Sequence, residues 1–291
     1  MGKLLDLDDH TDLPALRDPF LVVHLHGWTD AGLAAQTAAV FLRSRWNASI
    51  LATFDADELI DFRSRRPVVR LDGGTIEEVT WSPTELLAAT PGGERDAVLL
   101  LGPEPDFRWR AFCDEVVEVC RRLGVVEVFG LGAFPAPALH TDPVAVVGTS
   151  ADPELAARLE RVPLLVELQA GIQTVLEDWL HRAGIPATGL WARVPPYLAG
   201  GTHPPAALAL VQTLGRLTGV EVDTTELEAA TKDHLEQVEQ AISERPQIAE
   251  FVDQIRGMVE QGADERIPSG DEIAAELERF LGQTPPDSEP R

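Results

Sequence analysis

The chain has 291 residues, with 24 Lys and Arg against 48 Asp and Glu, for a formal net charge of −24. Apolar residues make up 44% and charged residues 25%, ordinary globular usage that excludes wholesale disorder. A polyanion of this size repels phosphate backbones and anionic lipid surfaces, so neither nucleic acid nor a membrane is an expected partner.

Met1 to Pro14 sets Leu4, Leu5 and Leu7 among Asp6, Asp8, Asp9 and Asp12, without the basic start and apolar core of a signal peptide. No window approaches the roughly 18 uninterrupted apolar residues of a membrane span. Cys113 and Cys120 lie on one expected helix with about 10 Å between their Cα atoms, too far apart for a disulfide. They read as small apolar residues on a buried face, and the expected location is cytoplasmic.

In chain order, Phe20 to Leu25 is an expected strand that breaks at Gly27, and Ala31 to Trp46 an alanine-rich helix. Ser49 to Phe54 is the next strand. Val68 to Leu71 and Thr75 to Trp81, joined by Asp72-Gly73-Gly74, predict an inserted hairpin, because glycine supplies the positive φ of tight turns. Strands are expected over 97–101, 125–131, 144–147 and 188–193, with a further short run over 163–168. Helices are expected over 106–123, from Asp152-Pro153-Glu154, over 172–183 and over 204–218. Apolar strands alternating with helices predict a three-layer α/β/α sandwich with a mainly parallel sheet covered on both faces.

The acidity is uneven. Residues 221–291 hold 19 Asp and Glu against 6 Lys and Arg, a net of −13, and all six tryptophans precede them. The expected division is a sandwich domain over 1–220, an acidic helical extension over 221–283 and a disordered tail over 284–291. Leu227, Ala230, Leu235, Val238 and Ile242 follow a helical period, as do Ile248, Phe251, Val252, Ile255 and Val259. A third helix is expected behind the capping box Ser269 to Glu272, burying Ile273, Leu277, Phe280 and Leu281. Helices this short need the core domain or another subunit to pack on.

In open parallel sheets ligands bind beyond the carboxyl ends of the strands. The polar signals collect there, and His26, Trp28, Asp30, Glu104, Trp109, His140 and Thr141 are the candidate cleft. Each has a structural reading: Asp30 suits a helix N-cap, Glu104 a turn between two prolines, and Trp109 a packed helix start. His24, alternating along its strand, reads as a satisfied core histidine. His26, Asp30, His140 and Asp142 lack tight metal-ligand spacings, so no metal is expected. Gly148 to Asp152 lacks the second glycine of a nucleophile elbow. Gly130-Leu131-Gly132 lacks the third glycine of a dinucleotide fingerprint, so no cofactor is expected. No motif alone specifies a reaction.

Taken together, the loops resemble the proteasome assembly chaperone 2 family in its actinobacterial branch. The resemblance rests on Gly27-Trp28-Thr29-Asp30-Ala31-Gly32, on Phe54 to Arg63 with Arg66-Pro67, and on Leu101-Gly102-Pro103-Glu104-Pro105 with Trp109 and Phe112. Leu131-Gly132-Ala133, His140-Thr141, Trp191 to Pro195, Pro268 to Glu272 and Leu277 to Phe280 extend it to nearly the whole chain. Asp142 stands where the family pattern carries an arginine, and Glu167 to Ile172 replaces a run typically Tyr-Glu-Gly-Pro-Thr-Gly. The resemblance implies a sandwich akin to phosphorylase- and peptidase-like folds, self-association with a trimer favoured, and no agreed catalytic set. The expected function is that of an oligomeric, chaperone-like interaction protein with a protein client. The alternative is a small-molecule binder, or a hydrolase- or phosphorylase-like enzyme, working in the rim cleft.

Overall fold

The computed structural model describes residues 3–7, 13–161 and 167–260. The first half runs β1 (Phe20–His26), α1 (Ala34–Arg45), β2 (Ser49–Thr53), α2 (Ala56–Leu59), β3 (Val68–Asp72), β4 (Thr75–Thr80), β5 (Glu85–Ala89), β6 (Ala97–Pro103) and α3 (Trp109–Leu123). The second runs β7 (Glu127–Pro135), β8 (Val146–Thr149), α4 (Pro153–Ala156), β9 (Glu160–Arg161), α5 (Ile172–Arg182), β10 (Ala187–Val194), α6 (Pro204–Thr218), α7 (Thr225–Glu244) and α8 (Pro246–Glu260).

Among the described residues, eight strands form one sheet in the order β2-β5-β6-β1-β7-β10-β8-β9. The centre, β6-β1-β7-β10, is parallel, while β5 and β8 join it antiparallel. Both faces are covered. Phe20 and Val22 of β1 point into a cluster with Ala34, Ala38 and Leu42 of α1 and Leu210 and Leu214 of α6. Leu21, Val23 and Leu25 point the other way, onto Phe112 and Val116 of α3 and Leu176 and Leu180 of α5. The central strands are therefore mostly apolar along both faces, as strands buried on both sides are. The sheet is mainly parallel, the layers are α/β/α, and C-terminal helices follow, as the sequence pattern predicts.

Two helix starts and one strand differ most from expectation. α3 starts at Trp109 because Asp106 and Phe107 give their N–H groups to Leu59 O, and Arg108 turns left-handed at φ 58°. α1 starts at Ala34, behind a short 3-10 turn over Ala31–Leu33. Gly32 there has φ 66°, donates to Ala199 O and accepts from His203 N–H, and a Cβ on it would lie 2.6 Å from His203 Cβ. β5 was not expected: its Glu-Leu-Leu-Ala-Ala sequence favours helix, but antiparallel pairing with β6 and β2 decides the matter. Of the run over 163–168, residues 163–166 lie outside the described residues, as do the third C-terminal helix and the tail. Among the described residues no helix is long and apolar enough to cross a membrane.

α7 packs on α6 and drops Leu227 into the core cluster beneath it. α8 folds back so that Val252 and Ile255 meet Leu139, with Tyr197 and Phe251 beside them. The hairpin β3–β4 stands apart from the sheet, and all eleven of its strand residues are exposed.

Candidate functional site

The carboxyl rim of the sheet carries two polar groups. The first joins the loops after β1 and β6, where Glu104 N–H donates to His26 O at 2.8 Å. The Glu104 carboxylate is buried, and its Oε1 accepts from Ile172 N–H at 2.7 Å. α5 begins at Gly171 without a cap of its own, so Glu104 serves as a distant cap at the positive end of the helix. Arg65 locks this loop by donating to Glu104 O and pairing with Asp106 at 3.2 Å. Trp28 is exposed and lies against Gly171 next to Glu104.

Asp30 receives the N–H groups of Ala35 and Gln36 at 2.8 and 2.9 Å, the capping role its position suggests. Burial raises its pKa, and those same N–H groups oppose the rise. His24 is buried with Nε2 4.0 Å from Asp30 Oδ2, and that nitrogen has no hydrogen-bond partner among the described residues. The core histidine is thus only half satisfied, through Nδ1 and Leu131 O, and burial takes its pKa down to about 4. His26 is held below its ordinary value by partial burial and by the neighbouring His24 and Arg65.

His140 belongs to the second group, under α7. Its backbone N–H donates to Tyr197 Oη at 2.9 Å, its Nδ1 meets the same oxygen at 2.8 Å, and its Nε2 meets Glu239 Oε1 at 3.0 Å. The Glu239 carboxylate only accepts, so the ring proton sits on Nε2 and Nδ1 takes the Tyr197 hydroxyl hydrogen. Beside it His203 Nδ1 meets His234 Nε2 at 3.1 Å. Thr141 next door is exposed.

The seven candidates thus separate: His26, Trp28, Asp30 and Glu104 share one side of the rim, and His140 and Thr141 the other. Trp109 sits apart, its indole bonded to Pro105 O and its body packed on the α3 side of the core. Tyr197, His203, His234, Glu239 and Arg65 join these groups without any spacing signal, since the chain brings them from 31 to 99 residues away.

A third polar group lies beneath α5. Trp191 Nε1 donates to Thr149 Oγ1, whose hydroxyl donates to Glu177 Oε2, both at 3.0 Å. Glu177 is buried and its pKa is pushed up to about 8, so it carries a proton at neutral pH. The sheet admits it only because Gly189 and Gly130 lie opposite: a Cβ there would fall 2.5 Å from Glu177 Oε1 and 2.6 Å from Gln173 Nε2. Those paired glycines are the sequence signal that could have exposed the group.

Among the described residues no group of three or more His, Cys, Asp or Glu is placed to hold a metal ion. Cys113 and Cys120 are buried free thiols pushed up to about 12, far from a reactive thiolate. What the rim arrangement does chemically is to tie loops and helices together: Asp30, Glu104 and His140 each spend their polar atoms on backbone or interhelical bonds.

Comparison with known proteins agrees with the fold and the loops. The sequence profile described as PAC2 family matches residues 24–242. A PAC2 family protein from Streptomyces avermitilis is 40% identical, with 77% of this chain and 95% of that chain covered and a TM-score of 0.71. A Mycobacterium tuberculosis proteasome-assembly chaperone homologue is 34% identical, with 80% and 99% covered and a TM-score of 0.73. A second M. tuberculosis protein, of unknown function, is 26% identical, with 97% and 93% covered and a TM-score of 0.82. No curated protein matches. The profile runs from within β1 into α7 and takes in both rim groups, and the chain belongs to the PAC2 family.

Proposed function

We propose that this chain is a self-assembling, chaperone-like interaction protein, a homo-oligomer with a trimer favoured, that engages a protein client. Its relationship to a proteasome-assembly chaperone homologue supports the chaperone-like part. The observation that carries self-assembly is the hairpin β3–β4. Val69 faces Val79 and Leu71 faces Ile76 across its ladder, so four apolar side chains share one face, each 42–64% exposed. Arg70, on the other face, pairs with Glu77 and Glu78 at 2.9 and 3.3 Å. Trp81 contacts Phe62 edge-on at 4.6 Å and anchors the hairpin to the body.

A two-stranded hairpin is marginal in water by itself, and a contiguous apolar face of some hundreds of Å² on a monomer marks an interaction surface. The occupant that fits is a second copy. Residues 63–80 carry four arginines against three acids, on a chain whose net charge is −24. The basic flank of one copy therefore complements the acidic surface of the next and its apolar face is covered in the same contact, a head-to-tail arrangement that closes into a ring. A standard interface needs about 800 Å² per partner, so the hairpin supplies its core and the surrounding surface the remainder. Native mass spectrometry of the full chain tests this: a trimer or another closed oligomer is expected, and a monomer at micromolar concentration would contradict it.

A further inference from the structure

The helices α7 and α8 rest on the sandwich with little apolar contact. α7 buries only Leu227 and Val238, and α8 only Val252 and Ile255. Segments with so few buried apolar contacts open at low free-energy cost. Polar contacts therefore carry an unusual share of the docking, and two of them use histidine: His140 with Glu239, and His203 with His234.

These two contacts respond differently to a proton. His140 already gives its Nε2 hydrogen to Glu239, and a second proton on Nδ1 only converts Tyr197 Oη from donor to acceptor. That contact survives and gains charge assistance. The His203–His234 contact has one hydrogen between Nδ1 and Nε2 at 3.1 Å. Once both rings are protonated, two N–H donors on two cations face each other with no acceptor between them.

We infer that the His203–His234 contact is an acid-operated latch: protonation of both rings releases α7 and α8 from the sandwich. The surroundings give that charge nowhere to go. His203 is fully buried, Nε2 has no partner among the described residues, and the ring lies at the N-terminus of α6, where the helix dipole opposes a cation. His140, on the loop after β7, acts on both rings, and Lys232 and Asp233 precede His234 along α7. Tyr197 after β10 holds His140, and Asp142 on the loop after β7, Glu239 on α7 and Arg256 on α8 act on Tyr197 in turn. Glu239 is taken by His140. Burial, then His234 and His140, hold His203 down to about 4, and His234 is lowered in the same way. Released histidines take protons at their ordinary value of 6.5, so the docked state binds fewer protons than the released one. Docking is complete above that value and weakens as the pH falls from 6.5 towards 4.

The test places spin labels at Val40→Cys on α1 and Gln237→Cys on α7 in the full chain, which buries its two native thiols. Labelled protein is diluted in excess unlabelled protein, so only distances within one copy are read, whatever the oligomeric state. A single distance is expected at neutral pH, with a longer component growing in mild acid, together with the titration of His203 and His234 followed by NMR. His234→Gln keeps a side-chain hydrogen bond and takes no proton, so the longer component should be absent. His140→Gln should retain it. The inference is overturned if the wild-type distance is unchanged once both ring signals have titrated, or if His234→Gln opens like the wild type. Should His234→Gln fail to fold by circular dichroism, His203→Gln gives the same comparison, and the wild-type titration decides independently.

Discussion

The strand β6 and the hairpin β3–β4 are built from the same residue types and have opposite fates. Ala97 to Leu101 in β6 are all buried, between α3 and α5 on one face and α1 and α6 on the other. Val68, Val69, Leu71, Ile76 and Val79 in the hairpin all face solvent in the single chain. Helices answer the first set from within the chain, and nothing among the described residues answers the second. What differs is where the partner surface comes from, and that contrast is the physical basis for reading the chain as an assembling protein.

The largest expected effect comes from breaking the β6 side. Leu100→Ala removes a fully buried side chain and should cost about 2–5 kcal/mol in denaturant unfolding. Glu104→Ala follows, at about 1–3 kcal/mol, because it strands the buried Ile172 N–H, whereas Glu104→Gln still offers an oxygen and should recover much of the loss.

Glu177→Gln sharpens the same side through pH. The folded carboxyl holds its proton up to about 8 and the unfolded one only to 4.5, so this group's stabilisation is present below 4.5 and is lost as pH rises towards 8. The variant keeps the Thr149 bond without ever ionising. Its melting temperature should match the wild type near pH 5 to within a few degrees and exceed it increasingly towards alkaline pH. Equal curves across that range would remove the buried acid from the account. On the hairpin side, Leu71→Ser with Ile76→Ser should change single-chain stability by no more than about 0.5 kcal/mol per site, since both side chains are exposed.

Much of the sandwich was legible because β6 is an apolar run, β1 is one broken only by its histidines, and the apolar residues of α3 recur with a helical period. The glycine-rich Asp72-Gly73-Gly74 marked the hairpin turn, which forms with both glycines at positive φ. β5 was hidden because leucine and alanine carry no strand signature, and pairing alone made it one. The capping role of Asp30 could be read from its place before a helix. That of Glu104 could not, because it caps a helix 68 residues away. Glu177 and Gln173 look like the solvent face of a helix until Gly130 and Gly189 are set opposite them. The histidine pair and the Tyr197–His140–Glu239 relay depend on α7 lying on α6, a long-range contact that local pattern does not encode.

The most direct test of the central claim is the particle mass in light scattering for the wild type and for the Leu71→Ser, Ile76→Ser variant. The wild type should appear as a closed multiple of the 31.6 kDa chain and the variant as a single 31.6 kDa chain with an unchanged circular dichroism spectrum. A wild type that runs at 31.6 kDa, or a variant that keeps the full oligomer, would contradict the account.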